Sequence, residues 1–226
     1  MSLPHLWDTL EMARPVDIVA LSLSVSLSAT ALATLVGLSL GAALAVYSVP
    51  GRRALVILMN AFFGLPPVVV GLALYLLLSR SGPLGMLGLL FTPGGMVLAQ
   101  FILATPIVTA LVHRAVEEAW DRFGGALLVD GATRLRAIPH LLAIGRVQIL
   151  TAVLAGFGRT VSEVGAILIV GGNIAGYTRT MTTAIVLETS KGNLSLALGL
   201  GFVLIGISIA VSATVFALGD GGRRWW

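Results

Sequence analysis

Two opposite charges stand in an otherwise apolar stretch of the sequence, FGRTVSEVGAILIVGGN at 157–173. Arg159 and Glu163 are four residues apart, which places them on one face of a continuous helix. Arg159 lies about twelve residues, or roughly 18 Å, into the apolar run 147–170. Pairing would lower the cost of carrying either charge into an apolar medium. Three roles stay open for these two residues and the intervening Ser162: a lock between helices, the lining of a pathway, or a position near an interface.

Hydrogen-bond donors follow directly, in GGNIAGYTRTMTT at 171–183. Gly171 and Gly172 allow backbone amides to converge on an anion. Arg179 supplies a forked, permanently charged group. The neutral donors are Asn173, Thr178, Thr180, Thr182 and Thr183. Such a set suits a tetrahedral oxyanion, which needs N–H and O–H groups in place of water. The alternative is an ordinary Gly-rich surface loop.

The composition indicates a membrane protein. The 226 residues are 57% hydrophobic and 11% charged, with a mean hydropathy of +1.00. Soluble domains carry about 25% charged residues. The net charge of +4 then favours basic loops facing an anionic membrane surface over nucleic-acid binding. Cysteine is absent and the three histidines lack ligand spacing, so we expect no metal site.

Hydropathy predicts an all-α bundle of about five membrane spans. The predicted spans are Val19–Val49, Ala54–Ser79, Met96–Ala119, Val147–Val170 and Leu194–Leu218. The alternation LSLSVSLS at 21–28 is strand-like, but the small and apolar residues that follow favour a helix. Pro66 and Pro67 lie inside the second predicted span, as a tolerated kink or as a bend that opens a substrate cavity.

Arginine placement predicts the orientation, because basic residues accumulate on the cytoplasmic side. An external N-terminus gives an extracytoplasmic segment 1–18, a transmembrane domain 19–218 and a cytoplasmic tail 219–226. The cytoplasmic side then holds nine arginines: Arg52, Arg53, Arg114, Arg122, Arg134, Arg136, Arg146, Arg223 and Arg224. The other side holds four basic residues: Arg14, Arg80, Arg179 and Lys191. The N-out, C-in arrangement is therefore predicted.

The 120–146 segment is too long for a turn and too polar to span a membrane. We expect short amphipathic helices broken at Gly124–Gly125 and at Gly131. This segment is either a docking surface for a soluble partner or a plain connector. The residues of interest are Gly125, Ala126, Leu127, Asp130, Gly131 and Ala132.

Aligned on Gly131, this segment resembles the cytoplasmic signature of ABC importer permeases, of which it keeps the glycine and one alanine. The stretches 62–93 and 153–193 are more specific and look like tungstate permeases, relatives of molybdate and sulfate permeases. The resemblance covers most of the chain from about residue 20. It implies an α-helical permease in the plasma membrane of a prokaryote, with an external gate at 171–183.

The resemblance also implies partners: a second copy of the chain, two ATPase subunits on the 120–146 segment, and an extracytoplasmic tungstate-binding protein. The chain lacks a GxxxxGK[ST] loop, so we expect no ATP binding, no cofactor and no enzymatic activity of its own. A molybdate permease is the close alternative. An intramembrane hydrolase lacks support because GxSxG is absent, and a non-transporting scaffold is the third possibility.

Overall fold

The computed structural model describes residues 15–48 and 50–220, and these residues form helices and turns. The predicted all-α class is confirmed. The first fourteen residues of the predicted N-terminal segment lie outside the described residues, as do 221–226 of the predicted tail with Arg223 and Arg224. The α-helices, in chain order, are α1 Pro15–Val46, α2 Arg52–Ala61, α3 Pro67–Leu78, α4 Pro93–Val129, α5 Arg134–Ile144, α6 Arg146–Val161, α7 Gly165–Gly171, α8 Met181–Ser190 and α9 Leu194–Asp220.

Three of these helices are long and apolar enough to cross a membrane: α1, α4 and, over Leu194–Thr214, α9. Two further spans arise if each of two bent helix pairs is counted as one span. The range of three to five includes the five predicted from hydropathy. The serines at 21–28 are helical, and Ser22 and Ser24 donate to the carbonyls of Ile18 and Leu21.

The second predicted span is interrupted at Pro66 and Pro67, where the sequence predicts a kink or a bend, and its two helical parts make an angle of 102°. A 3₁₀ turn at Phe62–Gly64 follows α2, and Pro66 then precedes the first residue of α3, Pro67. Proline suits the first helical position because its missing N–H has no intrahelical partner there and its φ is preset. The two prolines therefore start a helix.

The prediction of one continuous helix for the fourth span, Val147–Val170, was wrong. The axis of α6 makes an angle of 78° with the preceding α5, and α6 ends at Val161. Three residues, Ser162–Val164, separate α6 from the seven-residue α7. We call these three residues the break.

The chain divides into two compact units. The first contains the described residues up to Ala29, together with 66–101 and 160–210. One apolar cluster joins Ile18, Met181, Ala184 and Leu200, and another joins Val25, Met96 and Ile167. Between these clusters α1 is tied to α8, since the backbone N–H of Met181 donates to Ser22 Oγ at 2.7 Å.

The second unit contains the described residues of 30–65, 102–159 and 211–220. Small residues allow its helices to approach closely. A Cβ at Gly37 of α1 would lie 2.7 Å from the side chain of Val108 in α4, and one at Gly156 of α6 would lie 2.8 Å from the same side chain. Helices in a membrane associate through such close contacts, because lipid supplies no hydrophobic drive between them.

Candidate functional site

The break separates Arg159 from Glu163, so the expectation of one shared helix face was wrong. Arg159 lies half-buried in the last turn of α6, where the carbonyl end of a helix favours a cation. Glu163 lies in the break itself and is only 4% exposed. Ser162 is exposed. Glu163 thus lies outside the helix that carries Arg159.

Glu163 caps the helix that follows it. Its Oε1 accepts a hydrogen bond from the backbone N–H of Ala166 at 3.1 Å. The first amides of any helix lack intrahelical acceptors, and a side-chain oxygen just before the helix can supply one. A carboxylate is also favoured there by the positive end of the helix dipole. Glu163 therefore stabilises the start of α7.

Side chains from other helices bind the backbone carbonyls around the break. Gln100 Nε2 of α4 donates to the carbonyl of Thr160 at 2.8 Å, and Thr182 Oγ1 of α8 donates to the carbonyl of Glu163 at 2.8 Å. Thr160 Oγ1 donates to the carbonyl of Ser26 at 3.4 Å. Irregular backbone at membrane depth persists where protein groups or water bind its free polar groups. These buried contacts therefore stabilise the interruption.

Glycines bring α3 against α7 just after the break. A Cβ at Gly71 would lie 2.8 Å from the Cα of Ala166, and a Cβ at Gly165 would lie 2.8 Å from Val68 Cγ2. Both distances are below any ordinary carbon contact. The short helix α7 is thus held on one side by close packing with α3 and at its start by Glu163.

A compact turn, 171–179, begins at the last residue of α7, and we call it the Gly-rich turn. Gly172, Asn173 and Gly176 have φ of +72°, +51° and +71°, values that glycine and asparagine adopt most readily. Thr178 is fully buried; its hydroxyl donates to the carbonyl of Gly171 at 2.6 Å and accepts from the N–H of Ile174 at 2.9 Å. This one side chain closes the turn.

The internal bonds decide which predicted donors are free for a ligand. Thr178 and Thr182 already donate to backbone carbonyls. Arg179 Nη2 lies 3.5 Å from the carbonyl of Asn173, but two buried atoms, Arg179 Nε and Asn173 Oδ1, have no hydrogen-bond partner among the described residues. The unused atom of Arg179 is thus a donor that an anion can accept from, whereas the unused atom of Asn173 is an acceptor.

Replacing Thr178 by valine should loosen the Gly-rich turn, because the change removes a buried donor to Gly171 and a buried acceptor for Ile174. The expected cost is about 1–3 kcal/mol. Thermal unfolding and limited proteolysis of the detergent-purified chain provide the measurement. Thr178→Ser keeps the hydroxyl and is the matched control. A Thr178→Val protein as stable and as protease-resistant as the Thr178→Ser protein would contradict the assigned role.

The helix α8 begins inside the stretch expected to be a loop. Thr180 and Thr183 form a reciprocal capping box, in which each side chain binds the other residue's backbone N–H. Thr182 and Thr183 are consequently buried in the first turn of α8, 6% and 0% exposed. The predicted loop donors beyond Arg179 therefore belong to a helix start.

The 120–146 segment is a helix, a turn and a second helix. The expected interruption at Gly124–Gly125 was wrong, because α4 continues to Val129. The turn comes at Gly131, with φ +85°, and Thr133 then caps α5 by accepting from the N–H of Arg136. Of the predicted docking residues, Gly125, Ala126, Asp130 and Gly131 are exposed, and Leu127 and Ala132 are half-buried.

This segment is anchored on one side and open on the other. Ala137 and Leu141 of α5 are fully buried. Val129 and Leu135 are 88% and 68% exposed, and Leu128 is also exposed. Large apolar side chains exposed next to a rigid anchor are typical of a contact surface.

Sequence reasoning missed Gln100 and Thr160, each 1% exposed. Gln100 had a readable signal, since it is a lone amide within the apolar run Met96–Ile107, and polar groups at membrane depth are retained for a bond or a function. Thr160 had none, because threonine is common in membrane helices. Of the predicted site residues, the structure brings together Glu163 with Thr182, Gly171 with Thr178, and Asn173 with Arg179.

Comparisons with known proteins decide the family. The chain is 40% identical over 209 residues to a probable anion ABC transporter permease of Haloferax volcanii, covering 90% of each chain. The chain belongs to the permeases of ABC oxyanion importers. It is 36% identical to a tungstate uptake permease of Peptoclostridium acidaminophilum, covering 89% of this chain and 88% of that one. It is 39% identical to one of Campylobacter jejuni, covering 71% and 67%. No protein-family model matches the chain.

Family membership assigns the chain's general role. This permease is a multi-pass membrane protein and a non-catalytic transmembrane component of its importer. ATP hydrolysis and substrate capture then fall to other subunits. The question for the permease is which of its groups meet the oxyanion and which meet the partners.

Proposed function

We propose that this permease imports tungstate across the plasma membrane of a prokaryote, driven by ATP hydrolysis in a partner subunit. The observation that carries the proposal is the likeness to two tungstate uptake permeases along most of this chain. The Gly-rich turn supports it chemically, since the guanidinium of Arg179 offers an unused buried N–H to a dianion.

Within this function the Gly-rich turn is the external gate. Its members are Gly171, Gly172, Asn173, Thr178 and Arg179, with Thr182 connecting the turn to the break through its bond to the carbonyl of Glu163. Arg179 attracts the anion, and the internally bonded threonines keep the turn in shape. Ser162 and Glu163 of the break, with Arg159 at the end of α6, determine how α7 and the turn move. Pro66 and Pro67 fix the start of α3, on which α7 packs.

The permease works as a homodimer with two ATPase subunits and an extracytoplasmic binding protein. The ATPases dock on the 120–146 segment, where exposed Val129 and Leu135 flank the turn at Gly131. The arginine distribution supports N-out, C-in, with segment 1–18 outside, domain 19–218 in the membrane and tail 219–226 inside. In this topology the 120–146 segment lies on the arginine-rich, cytoplasmic side, which is also the side on which the ATPases dock.

Competition between oxyanions tests the substrate. In cells that lack their own tungstate uptake, expression of this permease with its ATPase and binding protein should produce energy-dependent tungstate uptake. Excess unlabelled tungstate should suppress the signal, and an equal excess of molybdate or sulfate should leave most of it. Stronger suppression by molybdate than by tungstate would make molybdate the substrate and contradict the proposal.

A further inference from the structure

A cavity with charged residues in its lining lies in the second unit, far along the sequence from the proposed gate. Its volume is about 500 Å³, and its lining includes Arg52, Arg53 and Val56 of α2 and His113 and Glu117 of α4. The family role of the permease assigns nothing to this cavity. Its lining brings together two guanidinium groups, an imidazole and one carboxylate, which is a basic set.

The charges of the cavity are only partly balanced. Arg52 Nη2 donates to Glu117 Oε1 at 2.5 Å, and Arg52 Nε donates to the carbonyl of Leu44 at 2.5 Å. The ring of His113 lies 3.4 Å from Arg52 Nη2. Arg53 is exposed and forms no hydrogen bond or ion pair with any of residues 15–48 and 50–220. The cavity therefore keeps one arginine for an external anion.

The helix that carries these arginines has two different sides. Helical spacing groups Arg52, Arg53, Val56 and Asn60 together, and Asn60 Oδ1 accepts from Arg114 at 2.8 Å, so this side faces α4. Ile57, one turn after Arg53, borders this side, and Leu58 lies on the opposite side; they are 60% and 41% exposed. No residue of α2 is buried. A short helix with a basic start and an apolar outer side is typical of the membrane–water interface.

We propose that this cavity binds the phosphate of an anionic phospholipid, whose acyl chains run along the apolar side of α2. The guanidinium of Arg53 donates to the phosphate oxygens, a contact that its planar geometry favours. The exposed Ile57 and Leu58 explain why the phosphate is that of a lipid, because acyl chains cover them. The proposal rests on the membrane location of the permease, and it is independent of which oxyanion is transported.

Lipid retention by the full chain tests this site. The detergent-purified protein is incubated with equal amounts of phosphatidylglycerol and phosphatidylcholine, and bound lipid is counted by native mass spectrometry. Wild type should retain phosphatidylglycerol preferentially. Arg53→Gln should lower that retention roughly fivefold, the effect of one basic side chain beside an anionic headgroup. Arg80→Gln removes an exposed arginine outside the cavity and should leave retention at the wild-type level.

A second variant changes the result in the opposite direction. Glu117→Gln removes the carboxylate that neutralises Arg52, so phosphatidylglycerol retention should rise severalfold. If the cluster had only a structural role, both variants would retain less phosphatidylglycerol than wild type. That result would overturn the proposal. Equal retention of the two lipids by wild type, or an Arg53→Gln protein that matches Arg80→Gln, would also overturn it. So would displacement of the lipid by millimolar inorganic phosphate, since that result assigns the cavity to a free oxyanion.

Discussion

Glu163→Ala should reduce ATP-driven oxyanion uptake by about fivefold or more. The substitution removes the carboxylate oxygen that accepts from the Ala166 N–H. Glu163 is only 4% exposed, so water does not readily replace that oxygen. Leaving a buried donor without a partner costs about 1–3 kcal/mol, enough to change the population of the interrupted conformation roughly five- to 150-fold. The backbone carbonyl of residue 163, which alanine keeps, accepts from Thr182, so a displaced break also disturbs the start of α8. Initial uptake rates per purified complex measure the effect.

Two variants separate the cap from neighbouring effects. Glu163→Gln keeps an acceptor oxygen at the same place and should recover most of the uptake. Leu168→Ala changes an exposed side chain of α7 that has no part in the cap and should leave uptake near the wild-type rate. Size-exclusion chromatography establishes that each variant is folded. Wild-type uptake by a folded Glu163→Ala complex would show that the break needs no cap at this position.

Gly131→Val should uncouple ATP hydrolysis from transport. Gly131 has φ +85°, and no atom lies within 4 Å of the place where its Cβ would be, so the backbone conformation and not packing requires glycine. A β-branched residue in this conformation costs more than the roughly 1–2 kcal/mol that other non-glycine residues lose there. The turn would relax, and α5 would leave the position in which we propose that the ATPase contacts it. The measurement is the ratio of ATP hydrolysed to oxyanion transported, which should rise severalfold.

The same segment provides matched controls for this prediction. Gly131→Asn adds a side chain that tolerates positive φ and should keep most of the coupling. Gly125→Val adds the same side chain as the test variant at another exposed glycine with open space around it, but within the helical part of the segment. Gly125→Val should perturb coupling less than Gly131→Val does. A normal ratio for Gly131→Val, or equal loss in Gly125→Val, would contradict the role assigned to the turn.

Composition and hydropathy were sufficient for the helical class and for the long helices α1, α4 and α9. The interruptions were harder to predict for different reasons. Pro67 carried a usable signal, since proline is favoured at the first helical position, but a continuous apolar run suggested one span. Gly124 and Gly125 suggested an interruption, yet glycine costs a helix only about 1 kcal/mol, which the helix tolerates.

The break at Ser162–Val164 was beyond sequence reasoning because remote residues stabilise it. The stretch contains no proline, and its two charges have helical spacing. Gln100, sixty-two residues before Ser162, binds the carbonyl of Thr160, and Thr182 binds the carbonyl of Glu163. Only the folded chain brings these donors together. The sequence therefore identified Glu163 as unusual without revealing that its carboxylate caps a helix.

In the Gly-rich turn, too, the sequence showed which residue types are present but not which hydrogen bonds they form. Its glycines and donors were readable, and so was the chemistry of a site for oxyanions. The sequence could not tell which donors the fold consumes: the hydroxyl of Thr178 closes the turn, whereas Arg179 keeps a buried Nε–H without a partner among the described residues. The capping pair Thr180 and Thr183 did carry a local signal for the start of α8, a threonine followed by a polar residue three positions later.

Tungstate accumulation in proteoliposomes tests the central claim most directly. Vesicles containing this permease and its ATPase, with the binding protein outside and ATP inside, should concentrate tungstate against its gradient. Omission of ATP, or of any one protein, should abolish accumulation. Tungstate that merely equilibrates at the same rate with and without ATP, or that is never transported while ATP is hydrolysed normally, would contradict the assignment of this chain as the permease of a tungstate importer.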